Sequence, residues 1–536
     1  MSNTITAVRL LNVPLENDYL HTLYFDSKAT QETYFASKIV KSGSDFSYQR
    51  KDKIIRYPAH VDSLLNCNYV MYKNSAFSSK WFYAFITDME YINDERTDIH
   101  IETDVIQTWM FDYSVKASFV EREHVKSDVI GEHTVPEQLE HGEYVCNKHE
   151  QSNYAKEDSQ IIVLGVTESP NGKKAEGTLY HGLYSGIKYW GFPHSNAGAD
   201  QIKLWLEYYA ESGKLDAVVC MFIAPKRLVT FKEGSETEIL NVSTPSTYWI
   251  NNSTAETTDR ALSINSGNLN GYIPRNNKLQ CFPYRYLLAS NNSGSSAVYH
   301  FEQFKDLGGT NNIIQPRFRI DGVLSPSCSI RMTPINYKGV GHNDEEGLNL
   351  GKFPILNWTS DVYTNWLTQN GVNIATSLIG STVQVVGGVG LMATGGGALA
   401  GAGSVASGVL GIANTLGEIY QHSLQPPQAE GNLNSGDITT ALGKNDFHFY
   451  DVSIKKEYAQ IIDGYFDMFG YKVNTVKVPN KNHRQSYWFT KTIDVNIDGA
   501  IPMKDLRKIK DCYNRGITFW KDTANIGNYS VANAII

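Results

Sequence analysis

The chain has 536 residues, 41% of them apolar and 12% aromatic, with a formal charge of −8 and a pI near 6.0. That length is enough for several domains of about 100–200 residues each, and the acidic balance speaks against a dedicated nucleic-acid binder, which carries a basic footprint. The six cysteines are far apart and form no Cys-x-x-Cys pair, which excludes a zinc or small disulfide framework and reads as reduced thiols of a protein folded in a cytoplasm.

The N-terminus, Met1-Ser-Asn-Thr-Ile-Thr-Ala-Val-Arg9, lacks a basic stretch followed by an apolar one and does not read as a secretory signal. From Trp81 to Ile92 the residues Trp81, Tyr83, Phe85, Met89 and Tyr91 share one face. From Thr97 to Trp109 the apolar Ile99, Ile101, Val105 and Trp109 alternate with Asp98, His100, Glu102 and Asp104. Such alternation predicts strands with one buried and one wet face, joined by the turn cluster Asn93-Asp-Glu-Arg96. Both apolar faces fall on odd positions, so opposed pairs must sum to an even number. That predicts a loop of three or five residues, because a one-residue slip flips a face.

Residues 120–350 mix short strands with loops. The spacing of Ile202, Leu204, Trp205, Leu206, Tyr208 and Tyr209 predicts a helix over Asp200–Ser212, with Gly213 as its cap. Leu215–Ala224 reads as a buried strand. Further on, the pattern predicts a helix from Ile454 to Phe469 ended by Gly470, a strand from Tyr471 to Val478, and a helix that Pro502 starts and Gly516 closes, with Leu506, Ile509 and Tyr513 on one face.

Val362–Gly417 stands apart: 56 consecutive residues without Asp, Glu, Lys or Arg in a chain that is 19% charged. Thr394-Gly395-Gly396-Gly397 breaks it into two arms, each approaching the roughly 20 residues a helix needs to cross a bilayer. Small residues at four-residue spacing, Gly397/Gly401 and Ala400/Ser404, permit close helix contact in lipid; the same spacing suits a helical hairpin buried inside an oligomer. Each glycine weakens a helix by about 1 kcal/mol relative to Ala, whereas hydrocarbon demands that every backbone group be paired. The segment therefore reads as conditional, sheltered in one state and exposed to lipid in another. A polar linker, 421–436, follows.

Motifs that suggest chemistry are weak. Asp494-Val-Asn496-Ile-Asp498-Gly499 begins like a calcium loop, but Pro502 falls inside it and position twelve is Asp505 rather than Glu; it reads as a turn. Glu121, His124 and Asp128 have ligand chemistry only on a helix, and Ser118–Val125 reads as strand. Gly388-x-Gly390 lacks the Lys-Ser/Thr of a phosphate loop.

At the C-terminus, Tyr465-Phe-Asp-Met-Phe-Gly-Tyr-Lys-Val-Asn474, Lys477-Val-Pro-Asn480, Arg484, Ile497-x-Gly499, Ile501-Pro502 and Gly516-Ile-Thr-Phe-Trp520 resemble the tail knob (distal tube) proteins of phi29-like short-tailed bacteriophages. Phe119-Val-Glu-Arg-Glu-His124, Gly131-x-His133-Thr134, Pro136-Glu-x-Leu-x-x-Gly-Glu143 and Thr103-Asp104-Val-x-Gln107-Thr108-Trp109 look like the same family. The resemblance implies a mainly β (α+β) fold with β-barrel-like tube-forming domains, inserted domains, a long hydrophobic loop and a ring-shaped oligomer. It divides the chain into an N-terminal tube domain (1–118), a mixed middle region (119–350), a membrane-active loop with linker (351–436) and a C-terminal tube domain (437–536).

The implied function is a virion protein at the distal end of the tail, assembled in the host cytoplasm. It plugs the channel with hydrophobic loops, then penetrates the host membrane so that the genome passes during ejection. Its expected partners are itself as a homohexamer, the proximal tail tube or collar protein, the host cytoplasmic membrane, and phage DNA passing without specific binding. No enzyme activity, cofactor, catalytic residue or metal ligand is expected. The membrane-active side chains on this reading are Ile374, Leu378, Ile379, Val383, Val386, Val389, Leu391, Met392, Gly395, Gly396, Gly397, Leu399, Val405, Val409, Leu410 and Ile412. DNA slides best past a weakly repulsive wall, so Asp98, Glu102 and Asp104, with Asp88 and Glu90, are expected to face the lumen. The competing readings are a receptor-binding tail protein, which a basin of exposed aromatics between 240 and 300 would favour, and a wall-degrading tail enzyme, which a cleft with paired carboxylates would favour.

Overall fold

The computed structural model describes residues 4–536 except 45, 50–52, 75–79, 155–159, 171–186, 232–237, 240–241, 244–247, 254–255, 264–266, 293–294, 305–314, 324–328, 338–347, 352–354, 359–428 and 433–445. Its contacts divide into two units: 1–143 with 271–281 and 455–536, and 144–270 with 282–454.

The first unit opens with β1 (Thr4–Leu11), β2 (His21–Leu23), α1 (Lys28–Ala36), β3 (Ile39–Gly43), β4 (Phe46–Gln49), β5 (Ile54–Tyr57), β6 (Tyr69–Asn74), β7 (Trp81–Asn93) and β8 (Arg96–Thr103). Six of these strands close a circuit, β1–β4–β5–β8–β7–β6 and back to β1, every pair antiparallel. Closure removes the exposed edges of that circuit; β3 lies outside it, paired with the latter half of β1.

The β7–β8 turn has two residues, not the expected three or five. The parity argument still holds locally, because an irregularity between Tyr91 and Asn93 supplies the missing residue and restores the even sum at Met89↔Ile99. A second, between Ile86 and Asp88, reverses the parity again, so that Phe85 opposes Glu102. The alternation also stops earlier than the sequence pattern suggested. Asp104 ends the strand and caps α2 (Val105–Trp109), all of whose residues are buried.

After β9 (Tyr113–Val115), β10 (Ser118–Glu123) begins at the expected domain boundary but belongs to this unit. It lies between two strands more than 340 residues away. The late elements are α3 (Lys456–Phe469), β11 (Tyr471–Lys477), β12 (Tyr487–Ile493), β13 (Ile497–Gly499), α4 (Met503–Arg515) and β14 (Ile517–Trp520). Of these, α3, β11 and α4 sit within a residue or two of their predicted positions. The second sheet runs β2–β14–β12–β10–β11, with β2 and β14 parallel. One apolar core joins Val8, Tyr69, Phe85 and Ile99 of the closed circuit to Trp488, Ile509 and Trp520 of the late segment.

In the second unit the chain comes in along Tyr144–Gln151 and leaves along His448–Ile454. These two strands pair antiparallel, and Arg285–Ser290 and Ser296–Tyr299 extend them to a four-stranded sheet. A seven-stranded sheet has the order Val229–Phe231, Tyr248–Ser253, Lys188–Pro193, Gln160–Val166, Val218–Pro225, Ile355–Trp358, Ala429–Asn432. The helix Asn196–Glu211 packs Trp205 on Trp190 and Phe192 of that sheet and ends before Gly213, whose φ of 67° suits the cap. Leu215–Ala217 is a 3₁₀ turn, and the predicted buried strand begins at Val218. A further four-stranded antiparallel sheet runs Glu256–Ala261, Arg317–Val323, Ser329–Pro334, Leu348–Gly351.

Candidate functional site

The uncharged segment, with all sixteen of its expected membrane-active positions, lies outside the described residues. Its base is described. Ile355–Trp358 pairs with Val218–Pro225 on one side and with Ala429–Asn432 on the other. The last pair of the ladder is Trp358↔Ala429, so the chain leaves and returns at adjacent points on a seven-stranded sheet. Residues 359–428 are thus one closed excursion with its ends held a strand spacing apart, about 5 Å. Among the described residues no helix is long and apolar enough to cross a membrane.

The expected lumen carboxylates do not form a common exposed row. Asp104 is a correction: its side chain is buried, its Oδ1 accepts the Gln107 N–H at 3.0 Å and its Oδ2 the Tyr69 hydroxyl at 2.9 Å. It cannot present a charge to a channel, and burial pushes its pKa up to about 6. The cause is the change from strand to helix at this point, where an N-cap side chain turns back onto the first helical turn. Asp98 is also largely buried, held in a two-pronged pair with Arg56 at 2.7 Å for each bond, and these hydrogen bonds keep its pKa below the usual carboxylate range. Glu102 accepts from Lys508 and Asn17, both at 2.7 Å, and Lys508 draws its pKa down. Asp88 and Glu90 are exposed on β7.

The motif residues near 120–140 and 465–484, distant in sequence, meet in one buried polar network of the first unit. Arg122 reaches from β10 to three groups: the carboxylate of Glu137, the Gly470 carbonyl at 2.6 Å, and the face of Tyr465, 4.9 Å away. Glu137 turns its other oxygen to Lys278 Nζ at 2.6 Å and the Lys472 N–H at 2.9 Å. Burial opposes the Lys278 charge and lowers its pKa. Glu123, fully buried, accepts from the Asn480 backbone and side-chain amide, each at 2.8 Å, and from Lys477.

His124 Nδ1 accepts the Phe489 N–H at 2.7 Å, so Nε2 carries the proton and donates to the Asp467 carbonyl at 3.0 Å. Burial, reinforced by Arg484, pushes its pKa down to about 3. Glu121, which would have shared a metal with it, pairs with Lys491 instead, and Asp128 accepts from Tyr471 and Asn277.

The short strap 271–281 is tied to α3 through Asp463, which accepts from the Tyr272 hydroxyl at 2.6 Å, the Arg275 N–H at 2.8 Å and Asn276 Nδ2 at 2.8 Å. Sequence reasoning found the Arg122, Glu123 and Glu137 motifs by resemblance but missed Lys278, Asn276 and Asp463. Their spacing carries no signal, because the loop that holds them is placed by its tertiary partners. The carboxylates and bases of this network are engaged by structural partners, an arrangement that fixes backbone segments rather than activating a nucleophile. A cavity of about 110 Å³ among Tyr24, Trp488, Phe519 and Asn480 has no carboxylate in its lining.

A closed antiparallel circuit and a second sheet, with a long insertion bearing the uncharged run, make up a fold that a phage tail knob protein shares. Residues 4–114 match the model described as caudoviral major tail protein N-terminus, and residues 247–534 match that of the tail knob protein gp9 of Bacillus phage phi29, C-terminal domain. The chain belongs to the family of the phi29 tail knob protein gp9. It is 27% identical to the tail knob protein gp9 of Bacillus phage PZA and 25% identical to that of phi29, each over 99% of this chain and 98% of the relative. The structure of the bacteriophage C1 tail knob protein gp12 shares the fold, with a TM-score of 0.66 and 14% identity over 99% of this chain and all of that one. These relatives are tail components by name, and no enzyme family is among the matches.

Proposed function

We propose that six copies of this chain form the distal channel of the tail, attached to the proximal tail tube, and that the 359–428 excursions plug it before infection and then enter the host cytoplasmic membrane. The genome passes through the opened channel without specific binding. The observation that carries this reading is the 56-residue run free of formal charge, carried on an excursion whose two ends are pinned together at Trp358↔Ala429. A paired base lets the excursion change state without disturbing the sheet that bears it. Before release, the segments of neighbouring copies shield one another's apolar surface; after release, Thr394–Gly397 bends each into two arms.

Dye release from liposomes tests the proposal. Val389→Asp or Ala406→Asp places a charge at the centre of an arm, at a cost of about 2.5–3.5 kcal/mol per segment, and should suppress leakage, as should deletion of 372–416. Leakage unchanged by the deletion would remove the segment from the mechanism. Leakage lost in the deletion but intact in both Asp variants would point to a water-lined loop.

A further inference from the structure

The four-stranded sheet that Tyr144–Gln151 and His448–Ile454 begin is charged on the wrong side. Directly opposed residues of antiparallel strands share a face, and on one face the rows are Val145–Ser453–Arg285 and Lys148–Asp451–Leu287. That is the covered face: Arg285 and Asp451 are buried there as a two-pronged pair at 2.9 and 2.7 Å. The other face carries the rows Cys146–Val452–Tyr286 and His149–Tyr450–Leu288–Val298. No Asp, Glu, Lys or Arg stands on it, yet Tyr144, Val298 and His149 are exposed. Solvated sheet faces normally carry the charge; an uncharged open face marks a surface that meets a partner.

Its aromatic end indicates what that partner is. Tyr144, Tyr286, Phe282 and His300 form a continuous series of rings, with centroids 5.6, 6.1 and 4.2 Å apart in that order. His300 stacks flat on Phe282, within 4° of parallel, and Phe282 is nevertheless 45% exposed. The arrangement is held from beneath. Buried Glu302 accepts the Phe282 N–H at 3.1 Å and lies 3.6 Å from His300 Nδ1, and the Tyr144 hydroxyl donates to the Pro283 carbonyl at 3.1 Å. These held, part-exposed rings offer π-density over an apolar surface. The C–H faces of a pyranose ring carry the complementary partial positive charge, and its rim hydroxyls suit the tyrosine and histidine edges. A polyanion would find no cation on this face.

We propose that the rings of Tyr144, Phe282, Tyr286 and His300 form a binding platform for a neutral pyranose polysaccharide of the host cell surface, which a virion tail component encounters during infection. This site is independent of the membrane-active excursion, so loss of either function leaves the other measurable.

The purified full chain is applied to an array of bacterial surface glycans, and bound neutral polysaccharides are titrated against wild type and variants. Phe282→Ala and, separately, Tyr144→Ala should each weaken binding about tenfold, with melting curves and liposome leakage unchanged. The two exposed positions give independent variants, so an unstable one does not decide the result. Binding to no neutral glycan overturns the proposal, as does glycan binding that both folded variants retain. Ring-dependent binding of proline-rich peptides or of lipid vesicles in place of glycans overturns it equally.

Discussion

Asp104→Asn should stabilise this protein at neutral pH and not in acid. Burial pushes the Asp104 carboxyl up to about 6 in the folded chain, from an ordinary value near 3.8. A raised carboxyl contributes stability that is present below the unfolded pKa and lost as pH rises through the folded one. By pH 7.5 the native state holds an anion it would rather protonate, and at about 1.4 kcal/mol per pKa unit the disadvantage is about 3 kcal/mol. Asparagine is neutral throughout and keeps an oxygen for the Gln107 N–H. Its amide donor faces the Tyr69 hydroxyl that now donates to Oδ2, a mismatch costing about 1 kcal/mol. The net expectation is a gain of about 2 kcal/mol at pH 7.5. At pH 3, below the ordinary carboxyl pKa, the group is protonated in both the native and the unfolded chain, and only the Tyr69 loss remains. Urea unfolding of the full chain at both pH values, followed by tryptophan fluorescence, reads the difference directly. An equal effect at the two pH values would refute the buried-anion argument, and no effect at either is what a solvent-facing lumen residue would give.

Glu137→Gln removes the shared anion between Arg122 and Lys278 and should destabilise the first unit by about 3–5 kcal/mol, since it leaves buried cations uncompensated; urea midpoints against wild type check this, and a loss below about 1 kcal/mol, the range of exposed ion pairs, would contradict the burial of the network. Gly470→Ala should not yield soluble folded protein. A Cβ there would lie 2.2 Å from the Glu123 carbonyl oxygen, at a backbone φ of 63°, and soluble yield with a cooperative melt would show that the β10 and α3 backbones can part.

Local pattern alone determined much of the late segment. The helix ending at Gly470, the strand from Tyr471 and the helix between Pro502 and Gly516 were legible because a 3.6-residue period and a terminal glycine are properties of neighbouring residues. The uncharged run was legible for the same reason, since it is a matter of composition. The family was legible from short motifs. Only the tertiary structure decided the rest. The β7–β8 alternation predicted a wet carboxylate at 104, but alternation assumes that the strand continues, and the helix that begins at Val105 turned that carboxylate inward. Closure of the circuit depends on β1 meeting β6, some sixty residues away, and no local period records a partner. Arg122, Glu137, Lys278 and Asp463 are brought together from four stretches of chain. The uncharged open face in the second unit exists only once Tyr144–Gln151 is laid against His448–Ile454, nearly 300 residues later. Periodicity tells which residues of one strand share a side, whereas register between distant strands decides which side faces the core.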